Sequence, residues 1–173
     1  GALSTGRTYS TATLLANGKV LAVGGAGSLG ISLNNAELYD PVARTWSAAG
    51  TLNAARQKHT ATLLPNGRVL VTGGLDVLGT PISSTEIYDP ATNTWTSAAT
   101  MSTARAFHTA TLIQNGKVLI ASGQNSLLTS VTSAEIYDPG TNIWYATGSL
   151  NTARVAFTST LLNDGTVLSS GGQ

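Results

Sequence analysis

An all-β chain of tandem four-stranded units is the fold class this sequence predicts, and three observations lead to it. One step of 49 residues relates Arg7, Arg56, Arg105 and Arg154, and the same step relates Glu37, Glu86 and Glu135. It also relates Tyr39, Tyr88 and Tyr137, then Trp46, Trp95 and Trp144, then Pro41, Pro90 and Pro139. Five residue types on one period make a tandem array. Short runs of Thr, Val, Ile and Leu are punctuated by Asn-Gly, Gly-Gly and Asp-Pro pairs, the pattern of strands and turns. No stretch holds a 3.6-residue apolar period for the length of a helix before Gly or Pro interrupts it.

Each unit reads as four strands in order. The first runs from Thr60 to Leu64, with counterparts Thr11 to Leu15, Thr109 to Ile113 and Thr158 to Leu162. Asn17-Gly18, Asn66-Gly67, Asn115-Gly116 and Asp164-Gly165 follow. Such pairs accept the positive φ angles of a type I′ hairpin turn, which the spacing predicts here. The second strand, Val69 to Thr72, ends in Gly73-Gly74, matched by Gly24-Gly25 and Gly171-Gly172 and replaced by Ser122-Gly123 in the third unit. A loop of about ten residues leads to the third strand, Glu86-Ile87-Tyr88, which Asp89-Pro90 closes. Asp before Pro starts a turn, because Pro presets φ and the carboxylate accepts a local N–H. The fourth strand begins near Trp95.

Composition narrows the classes of function. No apolar run is long enough to span a membrane as a helix. Nine Lys and Arg against eight Asp and Glu leave a net charge of +1, with no basic block of the kind nucleic-acid binding requires. The absence of Cys removes disulfides, thiol nucleophiles and thiolate metal sites together. Ser and Thr number 43 of 173 residues, which suits a β-rich surface and an exported, extracellular or cell-surface protein. The chain opens at Gly1 without an initiator Met or a signal peptide, so the expectation is a processed or excised segment.

Four-stranded units at this period are the blades of a β-propeller. The hydrophobic run ending in Gly-Gly, the later Tyr and the Trp seven residues beyond it resemble the kelch repeat. That resemblance extends from Gly6 to Gly172, and the stretch from His59 to Gly67 is similar to repeats of bacterial exported kelch proteins. It implies a kelch-type propeller, a single segment over residues 1–173. Blade 1 would occupy about 1–50, blade 2 about 51–99, blade 3 about 100–148 and a half-blade about 149–173. At 49 residues per blade the chain holds about 3.5 blades, short of the roughly 4–8 of a closed ring. Either the chain belongs to a larger propeller, or further copies of itself close the ring. Two copies both begin on a first strand and end on a second, so neither has a spare third and fourth strand for the other.

The periodic arginines Arg7, Arg56, Arg105 and Arg154 precede the innermost strands and are the first candidates for binding. A guanidinium arc suits carboxylate or phosphate, and the kelch resemblance implies a protein or acidic-peptide ligand. The competing reading pairs each Arg with its periodic Glu. Asp76, with Lys58 the only asymmetric acid–base pair on the loop side, and the non-periodic apolar Val77 and Ile82 complete the candidate set. The periodic Leu29, Leu78 and Leu127 are expected to pack their loops back onto the blades. His59 and His108 share one repeat position and lack a third ligand, so no metal site is read from them. Lys19, Arg68 and Lys117 are expected to be solvated, and the Tyr and Trp series to pack between blades.

No catalytic residue is assigned and no cofactor is expected. Thirteen of the 17 charged residues lie on the repeat, whereas catalysis needs unlike groups converging on one point. No Gly-x-Ser-x-Gly elbow is present, and Gly24-Gly25-Ala26-Gly27 lacks the lysine of a phosphate loop. The expected function is a non-catalytic interaction scaffold. Two alternatives stay open: the propeller portion of a secreted galactose-oxidase-like or carbohydrate-active enzyme, and a self-assembling structural repeat. Without Cys, this segment cannot hold the Tyr–Cys cross-link that the first of these implies.

Overall fold

Turn chemistry builds the inner hairpin of every blade. The computed structural model describes all residues, Gly1–Gln173. In the first hairpin Gly18 N–H donates to the Leu15 carbonyl at 3.0 Å and Leu15 N–H to Lys19 at 2.8 Å. Gly18 has φ +80°, while Asn17 stays in the ordinary region. This is a type I turn closed by a left-handed glycine, not the expected type I′ turn, which would need positive φ at both central residues. Asn17 instead accepts the Lys19 N–H through its side chain at 3.1 Å, a local bond that Asn forms readily.

Blade 1 comprises β1 (Thr11–Leu14), β2 (Val20–Val23), β3 (Asn35–Asp40) and β4 (Thr45–Thr51). Blade 2 comprises β5 (Thr60–Leu63), β6 (Val69–Thr72), β7 (Thr85–Asp89) and β8 (Thr94–Ala98). Blade 3 comprises β9 (Thr109–Leu112), β10 (Val118–Ala121), β11 (Ala134–Asp138) and β12 (Ile143–Thr147). Each is an antiparallel sheet with its strands in sequence order, and β13 (Thr158–Leu161) with β14 (Val167–Ser170) forms a two-stranded half-blade. The inner strands β1, β5, β9 and β13 stand side by side. The predicted Asp-Pro turns form as reasoned, with Asp40 accepting the Val42 N–H at 2.9 Å and Asp89 the Ala91 N–H at 2.9 Å.

The core lies between blades. Leu15, Leu21 and Val23 of blade 1 meet Val69, Val71 and Tyr88 of blade 2. Leu64 and Leu70 of blade 2 meet Val118, Ile120 and Tyr137 of blade 3. Within each blade the Tyr and Trp rings tilt together, with centroids 5.0–5.1 Å apart. Across the seam, Trp95 Nε1 donates to the Ala49 carbonyl and Trp144 Nε1 to the Ala99 carbonyl, both at 2.8 Å. The aromatic series thus fills and fastens the two seams between complete blades. Lys19, Arg68 and Lys117 stand at the solvated surface as expected, and there they pair with Asp40, Asp89 and Asp138, lacing second to third strands.

The glycine pair after the second strand lets the chain turn beneath its neighbours. Ser122 replaces the first glycine in blade 3 at φ +57°, and its hydroxyl bonds Val131 and Arg154 carbonyls. The second position is glycine in all four units. At Gly74, φ is +101° and an added Cβ would lie 2.6 Å from the Gln57 carbonyl oxygen. Gly74→Ala is expected to lower unfolding stability by about 2 kcal/mol or more, read from urea midpoints. An unchanged midpoint would mean that the two strands can separate freely.

Candidate functional site

Register places two sets of connections at one end of the blades. Thr11 opposes Val23, Val23 opposes Ala36, and Asn35 opposes Thr51. The start of each inner strand, the β2–β3-type loop and the exit of each outer strand therefore share one face. Residues 26–32, 75–81 and 124–130 rise from it as small hairpins, bridged at Ala26–Ser32, Leu75–Pro81 and Gln124–Ser130. The first two hairpins are tied together. Ser32 Oγ donates to the Leu75 and Asp76 carbonyls at 2.9 Å, and Gln57 Nε2 to the Gly30 carbonyl at 3.1 Å.

Three of the four candidate arginines are committed within the fold. Arg7 Nη2 meets Glu37 at 2.6 Å, Arg56 Nη2 meets Glu86 at 2.8 Å and Arg105 Nη2 meets Glu135 at 2.8 Å, all with side chains almost wholly buried. Each Nη1 also donates to carbonyls of its own blade, as Arg56 does to Gly73 and Ser84. Each glutamate accepts two backbone N–H groups as well: Ser4 and Thr5 on Glu37, Asn53 and Ala54 on Glu86, Ser102 and Thr103 on Glu135. Burial pulls the guanidinium pKa values of Arg56 and Arg105 down, opposed by their glutamates. For Glu37, burial works upward, but the Ser4 N–H and Arg7 hold the carboxyl below its usual range. These guanidinium groups face glutamate, not the channel mouth. Arg154 differs: its side chain is partly exposed and bonds the Gly171 carbonyl.

The remaining candidates separate by role. Asp76 Oδ1 accepts the Leu78 and Thr80 N–H groups at 2.8 and 2.9 Å, and Asn125 does the same work in blade 3. Its carboxylate shapes the hairpin. Val77 stands exposed beside it, whereas Ile82 is half-buried at the base. Leu29, Leu78 and Leu127 are 84%, 85% and 80% exposed, contrary to the expectation that they fold back onto the blades. The hairpins turn at those positions through local bonds and need no apolar anchor, so the leucines point to solvent.

His59 and His108 lie buried between blades. His59 Nε2 shares a hydrogen bond with Thr11 at 3.0 Å, and His108 Nε2 with Thr60 and Thr72 at 3.1 and 3.2 Å. Burial, with Arg56 and Arg105 adding repulsion, depresses both imidazoles to a pKa of about 3. They are neutral bridges at neutral pH. No group of three or more His, Cys, Asp or Glu converges anywhere in the chain. One cluster escaped sequence reading: Lys58 Nζ sits 4.6 Å from the Tyr9 ring centre and 4.4 Å from that of Phe107, a cation–π sandwich across three blades. Tyr9, Lys58, Phe107 and Ala156 share one repeat position and all adopt φ of 52–56°. Variability at that position, in an otherwise regular repeat, was the available signal.

Face-packed four-stranded blades around a common axis, with loops gathered at one end, define a β-propeller arc. The model of the Kelch motif matches residues 7–53, 58–102 and 105–151, and the chain belongs to the kelch-repeat family. The structure of YjhT superposes with a TM-score of 0.80 at 17% identity, covering 96% of this chain. This chain spans 59% of the length of that structure. At such identity the likeness concerns the fold alone. No curated protein matches the chain in sequence.

Proposed function

We propose that this chain is a non-catalytic interaction scaffold that holds a protein partner on its loop face. The observation that carries this reading is the row of solvent-facing apolar tips, Leu29, Ile31, Val77, Leu78, Leu127 and Leu128, on three hairpins of one face, the first two tied to each other. Apolar side chains gathered on a polar surface mark interaction sites, and loops on a rigid frame are where function concentrates. The Lys58 ammonium between Tyr9 and Phe107 has no carboxylate partner in the chain, which favours a partner segment that joins apolar residues with an acidic one. Acid–base catalysis finds little support, because the only histidines are buried and neutral and the conspicuous carboxylates serve ion pairs or turns. The Ser- and Thr-rich composition is what favours placing the scaffold outside the cell.

The test compares affinity capture by the wild type and by a Leu29→Ser/Leu78→Ser/Leu127→Ser variant. These side chains are exposed, so the variant should keep its unfolding midpoint within about 0.5 kcal/mol. Partners retained by the wild type and lost from the variant are the expected result. The same partners retained by both would overturn the reading.

A further inference from the structure

Each inner hairpin turns on a pair of residues that can still react once the chain is folded. Asn17-Gly18, Asn66-Gly67 and Asn115-Gly116 hold three of the four turns, and Asp164-Gly165 holds the last. Asparagine is among the thermolabile residues, and a following glycine, having no Cβ, leaves its own amide nitrogen unhindered. That nitrogen, after losing its proton, attacks the asparagine Cγ. The C–N bond of the side-chain amide breaks, ammonia leaves and a five-membered imide remains. Water then opens the imide at either carbonyl, giving aspartate or isoaspartate, so water is consumed and ammonia released.

The fold restrains this reaction with two bonds. Gly67 N–H, which carries the proton that must leave, donates to the Leu64 carbonyl at 2.9 Å. Asn66 Oδ1 accepts the Arg68 N–H at 3.1 Å, which holds the side chain in place. Gly116 and Asn115 make the same two bonds at 2.9 and 3.1 Å. The turns differ in what stands behind them. A Cβ built on Gly116 would lie 3.4 Å from Pro65 Cγ of the neighbouring blade, whereas one on Gly67 meets nothing within 4 Å. Blades 1 and 3, both four-stranded, flank the Asn66 turn, so its open side does not reflect a missing neighbour. The Gly116 turn must open against Pro65, and the Gly67 turn opens freely.

The last hairpin shows that the turn holds an aspartate. Gly165 N–H donates to the Leu162 carbonyl at 3.0 Å, and Asp164 Oδ1 accepts the Thr166 N–H at 2.9 Å. These are the bonds of the Asn-Gly turns, with a carboxylate in place of the amide. We propose that Asn66 is a site of spontaneous deamidation, reacting ahead of Asn115, and that its turn accepts the resulting aspartate. The new carboxylate stands two residues from Arg68, whose guanidinium bonds Asp89 at 2.9 Å. It also lines a groove of about 350 Å³ whose charged residues are Lys117 and Asp138, so a balanced groove becomes acidic. This end of the blades lies opposite the loop face, and the site stands independently of the function proposed there.

The test ages the whole folded chain in warm, mildly alkaline buffer beside the same chain unfolded in urea. Peptide mass spectrometry reads the conversion at each asparagine. In the folded chain Asn66 should convert at least about tenfold more slowly than in urea, because the reaction waits on opening of the turn. It should still convert ahead of Asn115, whereas in urea the two should keep pace with each other. Equal folded rates at Asn66 and Asn115, or equal rates for Asn66 in the folded and unfolded chain, overturn the proposal. So does a folded chain that keeps Asn66 intact while the unfolded one converts fully. The Asn66→Asp variant supplies the product without the reaction and should keep the wild-type urea midpoint. A lowered midpoint would mean that the turn does not accept aspartate there, and would overturn that half of the proposal.

Discussion

Glu86→Ala should lower the stability of the chain by about 3–5 kcal/mol, the range for removing one partner of a buried ion pair. The substitution strands more than a charge. Asn53 N–H at 2.7 Å, Ala54 N–H at 3.1 Å and Arg56 Nη2 at 2.8 Å all lose their acceptor, and the guanidinium stays enclosed by the blade. Glu86→Gln, which keeps an acceptor oxygen, should be milder. The double variant Arg56→Met/Glu86→Leu should be less destabilised than Glu86→Ala, because it removes the buried charge from both sides. Arg154→Met is the internal control: that arginine is partly exposed without a carboxylate, so its replacement should shift stability by less than about 1 kcal/mol. Urea midpoints for the four variants decide the matter. A loss at Glu86 no larger than that at Arg154 would mean that the ion pair does not hold the blade.

That contrast also marks how far the sequence could be read. A period of 49 residues was enough to lay out strands, turns and blades, because register and burial are set by residues that recur together. Pairing of Arg56 with Glu86 was legible as one of two options. What decided between them was the convergence of Asn53 and Ala54 amides on the same carboxylate, which depends on how the connection enters the blade. Spacing is silent on that. The outward turn of Leu78 was likewise hidden, since a periodic leucine normally signals packing, and only the Asp76-capped hairpin shows why none is needed. The type I geometry at Asn17-Gly18 was missed because Asn-Gly serves both turns. One residue more in the loop selects the left-handed glycine alone. Lys58 with Tyr9 and Phe107 was beyond reach for another reason: three side chains 49 residues apart meet only once blades stack.

Acid should destabilise the chain in a window that the two histidines define. Both have folded-state pKa values of about 3, first through burial and then through the neighbouring arginines, against about 6.5 in an unfolded chain. Between those values the unfolded chain takes up protons that the folded chain refuses. Stability is therefore full above about pH 6.5 and falls as pH drops toward 3, by about 1.4 kcal/mol per pH unit for each histidine. Glu37, whose carboxyl is held low, adds a loss that starts only below its ordinary range, so the interval from about pH 6.5 to 5 belongs to the histidines. Phe157 already fills their repeat position in the half-blade and is buried there, which makes His→Phe the substitution the repeat itself accommodates. Urea midpoints in that interval should show the two-proton slope in the wild type, half of it in His108→Phe and almost none in His59→Phe/His108→Phe. A slope that survives in the double variant would mean that protonation elsewhere opens the blades, and that the histidine bridges to Thr11 and Thr60 are not what acid breaks.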